Sequence, residues 1–212
     1  MGDARSPAAP RPSKIVCVGR NYLDHLREMG GAEADDDPVL FLKPPSALIG
    51  DGEAIVLPTQ SARVDFEGEL VAVIGRRLRA VDAAEALAGV RGYCCGNDVT
   101  ARDLQQRDGQ WTRAKGFDTF AVLGSVVAGV DPADLALTTR VNGEVRQASR
   151  TSLLIHPVGE LIAFIASVMT LEPGDAVFTG TPAGVGPLHD GDVVEVEVEG
   201  IGRLRNPVRA AA

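Results

Sequence analysis

The sequence predicts a mixed α/β domain dominated by strands, and three observations carry that prediction. Short runs of strand character recur along the chain with turn residues between them, segments of helical periodicity are few, and the two kinds do not alternate regularly, which argues against a doubly wound parallel sheet. With 45% hydrophobic and 24% charged residues in 212, the chain holds enough apolar material for one sizeable core.

In chain order the strand runs are KIVCV from 14, PVLFL from 38, AIVL from 54, LVAVIG from 70, GYCCGND from 92, AVLGSVV from 121, DAVFTG from 175 and DVVEVEVE from 192. The stretch 138–147 (TTRVNGEVRQ) centres on Asn142-Gly143, a pair that tolerates positive φ and so suits a type I′ hairpin turn. Val/Glu alternation over 193–199, then GIG and RLRNPV, reads as a second hairpin with one wet face. Helices are expected over 21–29, near 82–87, from 101 to about 110, and over 158–169, where Val158, Leu161, Ile162, Ile165, Val168 and Met169 make one apolar stripe able to cover a sheet. Residues 1–13, rich in Pro and Ala, read as a flexible tail ahead of a single domain over 14–212, and GGAEADDD at 30–37 reads as a surface loop placed to act as a lid.

Charge and composition narrow the function. The chain carries 21 Lys and Arg against 29 Asp and Glu, a net charge of −8, which argues against binding to nucleic-acid backbones or anionic lipid. The longest apolar stretch, 161–171, is about half the ~20 residues of a membrane span, and the N-terminus lacks the apolar core of a secretory signal, so a cytoplasmic protein is expected. The three cysteines Cys17, Cys94 and Cys95 are odd in number and lack CxxC spacing, which favours core packing over disulfides or metal binding.

Three groups of residues could do chemistry. In RVDFEGELVAVIG, Glu67 and Glu69 are two apart, so a strand puts both carboxylates on one face, just before an apolar run heading into the core. Asp98 ends the next strong strand, and three carboxylates without a nearby His or Cys cluster make an oxygen-only site suited to Mg²⁺ or Mn²⁺. On spacing alone a solvated strand face, with Asp98 capping the helix that starts near Ala101, is the favoured reading over a metal site. The second group is His25 and Glu28, three apart on a helix, either a general-base dyad or incidental charges on an exposed helix. The third comprises Lys43 beside Pro44, Lys115 in AKGFD, and the turn TGTPAGVG from 179, whose N–H and hydroxyl groups could take a carboxylate. That turn lacks GxGxxG order and GK[ST], and no GxSxG is present, which counts against nucleotide binding and serine hydrolysis.

Taken in order, GRNYLDHLREM, LFLKPPSALIGDG, VDFEGELVAVIG, GYCCGNDVTARDLQ, AKGFDTF and VFTGTPAGVG resemble the fumarylacetoacetate hydrolase family, most closely its short single-domain members such as acylpyruvate hydrolases. The resemblance runs from about Lys14 to Val208 and departs after DTF, where AVLGS replaces a proline-flanked PLGP. It implies a β-roll or sandwich-like core with flanking helices, assembled as a homodimer. It makes Glu67, Glu69 and Asp98 the ligands of Mg²⁺ (or Mn²⁺), His25 and Glu28 the water-activating dyad, and Lys115 a cation of the site. Arg20, Lys43, Gln106, Gly180 and Thr181 fall around the substrate, the last two on its carboxylate. The implied reaction is hydrolysis of a C–C bond in an acylpyruvate-type 2,4-diketo acid, a small anionic 2-oxo acid, to pyruvate and a carboxylic acid. Oxaloacetate decarboxylation and isomerisation of 2-hydroxymuconate-type dienes are alternatives on the same site, and a non-catalytic binder is a third.

Overall fold

The computed structural model describes residues 11–31 and 36–211. Its elements are β1 (Ile15–Gly19), α1 (Leu23–Glu28), β2 (Val39–Lys43), β3 (Leu48–Ile49), β4 (Ile55–Leu57), β5 (Val64–Phe66), β6 (Gly68–Ile74), α2 (Ala83–Ala88), β7 (Val90–Asp98), β8 (Thr100–Ala101), α3 (Arg102–Asp108), α4 (Thr112–Lys115), β9 (Ala121–Leu123), β10 (Ala136–Val141), β11 (Glu144–Arg150), α5 (Val158–Val168), β12 (Ala176–Phe178), β13 (Gly186–Pro187), β14 (Val193–Val198) and β15 (Gly202–Ala210). The strand-rich mixed α/β class is as expected, with curled sheets and few helices.

The main sheet has seven strands in the order β2-β1-β12-β6-β7-β9-β3. Its two edges, β2 and β3, are separated in the chain only by residues 44–47, part of them a 3₁₀ turn over Pro45–Ala47. A flat sheet of seven strands would be about 29 Å across at ~4.8 Å per spacing, whereas the five steps from Lys43 to Leu48 span at most about 18 Å. The sheet must therefore curl until its edges approach, and it forms a roll. Strand register identifies the inner face: Ile15 lies opposite Lys43 and Ala176, Cys17 opposite Phe41 and Phe178, and Val71 opposite Phe178 and Cys94. Ile15, Cys17, Val71, Val73, Cys94, Ala121, Ala176 and Phe178 fill that interior as one buried cluster. Gly96, which pairs with Glu69, is the residue that lets it close, because a Cβ there would stand 2.4 Å from Val71 Cγ2 and 2.8 Å from Phe178 Cε1.

The outer face, with Val16, Leu70, Ala72, Ile74 and Val177, joins the main core with Leu161, Ile162 and Ile165 of α5 and with Leu137, Val194, Val196 and Leu204 of a second sheet. That sheet has five strands, β11-β10-β14-β15-β4, and a small third one runs β13-β5-β8. Asn142 and Gly143 have φ of 53° and 83°, the two positive values that a type I′ turn between β10 and β11 requires. β14 alternates between buried and less buried positions, as its Val/Glu pattern anticipates. Asp82 and Glu85 form a capping box that starts α2.

Two strands differ from the sequence reading, while the cysteines agree with it. The strand expected through Glu67 is interrupted there, since β5 pairs with β8 and β13 while β6 belongs to the main sheet. The run AVLGSVV contributes a strand only over Ala121–Leu123; beyond it Gly124 N–H still donates to Cys95 O of β7, and the pairing continues only as an isolated bridge between Val127 and Tyr93. All three cysteines are free and buried. Of the expected tail, residues 1–10 lie outside the described residues, while Ser13 is tied to Asp175 by its N–H and its hydroxyl. Of the lid expected at 30–37, residues 32–35 lie outside the described residues. No described helix is long and apolar enough to cross a membrane.

Candidate active site

One mouth of the roll carries the acids. Glu69 is the second residue of β6 and Asp98 ends β7, its neighbour, while Glu67 occupies the break before β6. Each of the three offers a carboxylate oxygen within 4.8 Å of the others, and all three are buried. The alternative of a solvated face is thereby overturned, and so is the cap: the residue preceding α3 is Ala101, with no side-chain capping bond. Asp98 is instead engaged by lysines, with Lys115 Nζ 2.7 Å from Oδ2 and Lys43 Nζ 2.6 Å from Oδ1.

Cations offset part of this charge. Glu67 accepts from Arg102 Nη2 on Oε1 and from Lys115 Nζ, 2.8 Å away, on Oε2. Burial pushes its carboxyl up, but Lys115 and Arg102 overcome that and hold it below the usual carboxylate range. For Glu69, burial and then the charges of Asp98 and Glu67 push the carboxyl well above its ordinary value, against the N–H of Gly180 donating to Oε2 at 2.7 Å. An oxygen-only cluster, in which one carboxylate is destabilised by the other two, fits a hard divalent cation, whose charge would relieve that repulsion.

The dyad is brought in by α1. Buried Asn21 fixes the chain after β1: its Nδ2 donates to Thr179 O at 2.8 Å and His156 O at 3.1 Å, and its Oδ1 accepts from His156 N. Arg20, with φ of 59°, makes the left-handed turn that precedes it. The helix then places buried His25 with Nδ1 3.0 Å from Glu28 Oε2, while Glu28 Oε1 accepts from Gly184 N, also at 3.0 Å. A carboxylate at Nδ1 favours the tautomer protonated there and leaves Nε2 as the base.

The triad and His25 face one cavity of about 210 Å³, whose wall also includes Arg20, Gln106, Lys115 and Thr181 from the sequence reading, while Glu28 stands behind His25 and off the wall. Lys43 and Gly180 are placed differently. The Lys43 ammonium is buried behind Asp98, where it also donates to Val99 O at 3.0 Å, Lys115 O at 2.8 Å and Phe120 O at 2.8 Å. Its donors are thus spent on protein oxygens rather than offered to a substrate. The Gly180 N–H is likewise committed to Glu69. The Thr181 hydroxyl donates to Gly68 O at 2.9 Å and accepts from Gln147 Nε2 at 2.7 Å.

Sequence reasoning missed Arg102, Gln105, Phe41 and Trp111, which also line the cavity. Arg102 had one signal, a basic residue at a helix start, where the dipole disfavours it unless a buried anion holds it; here Asp65 and Glu67 do. Trp111 and Phe41 meet edge to face at 5.2 Å on the wall, a contact between distant segments with no local signature.

A rolled sheet with an acidic triad and a His–Glu dyad around one small cavity defines a class, proteins that act on a small molecule in an acidic cleft. Residues 14–209 match the model of the fumarylacetoacetate (FAA) hydrolase C-terminal domain, and the chain belongs to the fumarylacetoacetate hydrolase family. A structure described as 5-carboxymethyl-2-hydroxymuconate delta-isomerase from Mycobacterium smegmatis is 54% identical, with a TM-score of 0.90, over 96% of this chain and 82% of that one. Fumarylpyruvate hydrolase from Pseudomonas aeruginosa, in complex with Mn²⁺ and pyruvate, superposes with a TM-score of 0.93 at 34% identity, over 98% of this chain and 94% of that one. The mitochondrial oxaloacetate tautomerase FAHD2A of Bos taurus is 43% identical over 93% of this chain and 67% of its own length.

Proposed function

We propose that the protein is a divalent-metal-dependent hydrolase that cleaves an acylpyruvate-type 2,4-diketo acid to pyruvate and a carboxylic acid. The observation that carries this reading is the His25–Glu28 pair, held at 3.0 Å, whose buried imidazole lines the same cavity as the triad while Glu28 backs it from outside the wall. Glu67, Glu69 and Asp98 would hold the ion, Mg²⁺ or Mn²⁺, and when bound it would supply Lewis-acid polarisation of the 2-oxo acid and stabilise the negative charge that develops there. A cavity of about 210 Å³ lies below the ~300–1,000 Å³ of sites for drug-sized ligands and suits a short acid.

The chain's own residues supply the rest. His25 Nε2 takes a proton from water while Glu28 stabilises the imidazolium through Nδ1. The hydroxide adds to the C4 carbonyl, the C3–C4 bond breaks, and its electron pair passes to C3, which then receives the proton from His25. The products are pyruvate and the carboxylic acid. Lys115 places a fixed positive charge beside the reacting oxygens, and Lys43 pairs with Asp98 from behind.

A second reading uses the same base without water: His25 moves a proton between C3 and the C2 oxygen of oxaloacetate, which tautomerises it, or from the 2-hydroxyl to C5 of a 2-hydroxydienoic acid, which isomerises it. It is supported by the names of the bovine relative and the mycobacterial structure. Pyruvate release from acetylpyruvate, fumarylpyruvate and oxaloacetate, with Mg²⁺, with EDTA and with His25→Ala, tests both readings alongside the absorbance change of oxaloacetate enol. Metal-dependent cleavage of an acylpyruvate that His25→Ala abolishes supports the hydrolase. Enol conversion without any acylpyruvate cleavage assigns the tautomerase, and oxaloacetate turnover to pyruvate alone assigns a decarboxylase.

A further inference from the structure

Gln147 sits on β11, an edge strand of the second sheet, where most neighbouring positions are exposed; its own side chain is buried. It reaches out of its sheet to the catalytic roll. Gln147 Oε1 accepts from Gly68 N at 2.9 Å, and Nε2 donates to Thr181 Oγ1 at 2.7 Å and to Pro182 O at 2.8 Å. The Thr181 hydroxyl donates in turn to Gly68 O, which closes a ring of hydrogen bonds around the residue that separates Glu67 from Glu69. Gly68 lies so close to the second sheet that a Cβ there would stand 2.0 Å from Thr139 Oγ1.

The same strand also backs the loop that carries Gly180 and Gly184. A Cβ on Gly184 would fall 2.1 Å from Arg146 O and 3.3 Å from Gln147 Cγ. That loop holds one carboxylate of each half of the site, Glu69 through Gly180 N and Glu28 through Gly184 N. Gln147 is therefore the side chain that ties the ligand strand, at Gly68, to the loop that orients both Glu69 and the dyad.

We propose that Gln147 is a positioning residue: it does not line the cavity, and it sets the register between the metal-holding carboxylates and the water-activating dyad. This rests on the metal-dependent reading above. Partners that orient ligands typically govern metal affinity or activity by about 10–100-fold.

The test compares Gln147→Met, which keeps the volume and removes all three hydrogen bonds, with Leu137→Ala, which weakens the core of the same sheet away from the clamp. Mn²⁺ affinity is measured by calorimetry on EDTA-stripped protein, with Tm in EDTA and steady-state kinetics at saturating Mn²⁺. Gln147→Met is expected to raise the Mn²⁺ Kd by about 10–100-fold and to lower kcat with little change in KM, whereas Leu137→Ala lowers Tm and leaves the Kd within about twofold. A Gln147→Met Kd within twofold of wild type, or an equal rise in Leu137→Ala, overturns the proposal. If Gln147→Met does not fold, Thr181→Val opens the same ring from its other side, and an unchanged Mn²⁺ Kd in that variant overturns it as well. Failure of the wild type to bind Mn²⁺ overturns the metal reading itself, an outcome distinct from the loss of Gln147's role.

Discussion

Replacing Lys43 by Met separates a lysine that binds substrate from one that holds Asp98. In the structure the change leaves the Asp98 carboxylate without the ammonium 2.6 Å away, and it strands three carbonyls, those of Val99, Lys115 and Phe120, that the same nitrogen serves. Removing one partner of a buried ion pair costs about 3–5 kcal/mol, because the other charge remains buried. For a chain of this size each kcal/mol corresponds to roughly 2–4 °C in Tm, so a fall of about 6–20 °C is expected in the metal-free protein. Part of it should be recovered on adding Mn²⁺, since a divalent ion restores positive charge beside Asp98, which otherwise keeps only Lys115 as its cationic partner. The assay is thermal unfolding in EDTA and in Mn²⁺, with KM for whichever 2-oxo acid proves to be turned over. A Tm within about 2 °C of wild type together with a tenfold higher KM would refute the reasoning and return Lys43 to the substrate.

Two further predictions follow from packing and from the N-terminal anchor. Gly96→Ala introduces a Cβ into the roll 2.4 Å from Val71 Cγ2 and should destabilise by about 1–3 kcal/mol through overpacking; an unfolding midpoint in urea equal to wild type would contradict the close packing of the interior. Asp175 is buried and accepts from Ser13, Lys14 and Glu172 while pairing with the Lys14 ammonium. Burial alone would raise its carboxyl, but these donors hold it below its ordinary value. A depressed carboxyl stabilises the fold above its unfolded-state pKa, near 3.9, and that contribution is lost as pH falls through the folded value. Asp175→Asn should therefore cost about 1.5–3 kcal/mol at pH 7, with the gap to wild type narrowing below about pH 4 in acid-unfolding curves; a gap that stays constant down to pH 2 would exclude this linkage.

The periodic signals carried most of the secondary structure. The apolar stripe from Val158 and the Asn142-Gly143 turn are local patterns, and they appear where the chain places them. Strand order is different in kind: β12 lies between β1 and β6, a pairing set by long-range packing that no local window contains. The same divide runs through the site. Glu67, Glu69 and the His25–Glu28 pair are close in sequence, so their spacing already suggested shared faces. Lys43 could be recognised as a constrained cation, but the direction of a long side chain depends on what surrounds it, and here three carbonyls from other segments draw it behind Asp98. Gln147 was legible only as part of a hairpin, because its partners are backbone groups at Gly68 and Pro182 and a hydroxyl at Thr181.

The position of β12 also bears on how the chain is made. It pairs with β1 on one side and β6 on the other, so an interior strand of the seven-stranded sheet is supplied by residues 176–178, long after β6 ends at Ile74. At about 5–20 residues per second of synthesis, the emerging chain waits roughly 5–20 s with β1 and β6 both lacking their shared neighbour. During that interval two apolar strands present unsatisfied edges, and the roll cannot form in the order in which its strands are made. Cotranslational protection of this segment, by a chaperone or by slow translation before β12, would be felt as soluble yield rather than as catalytic rate.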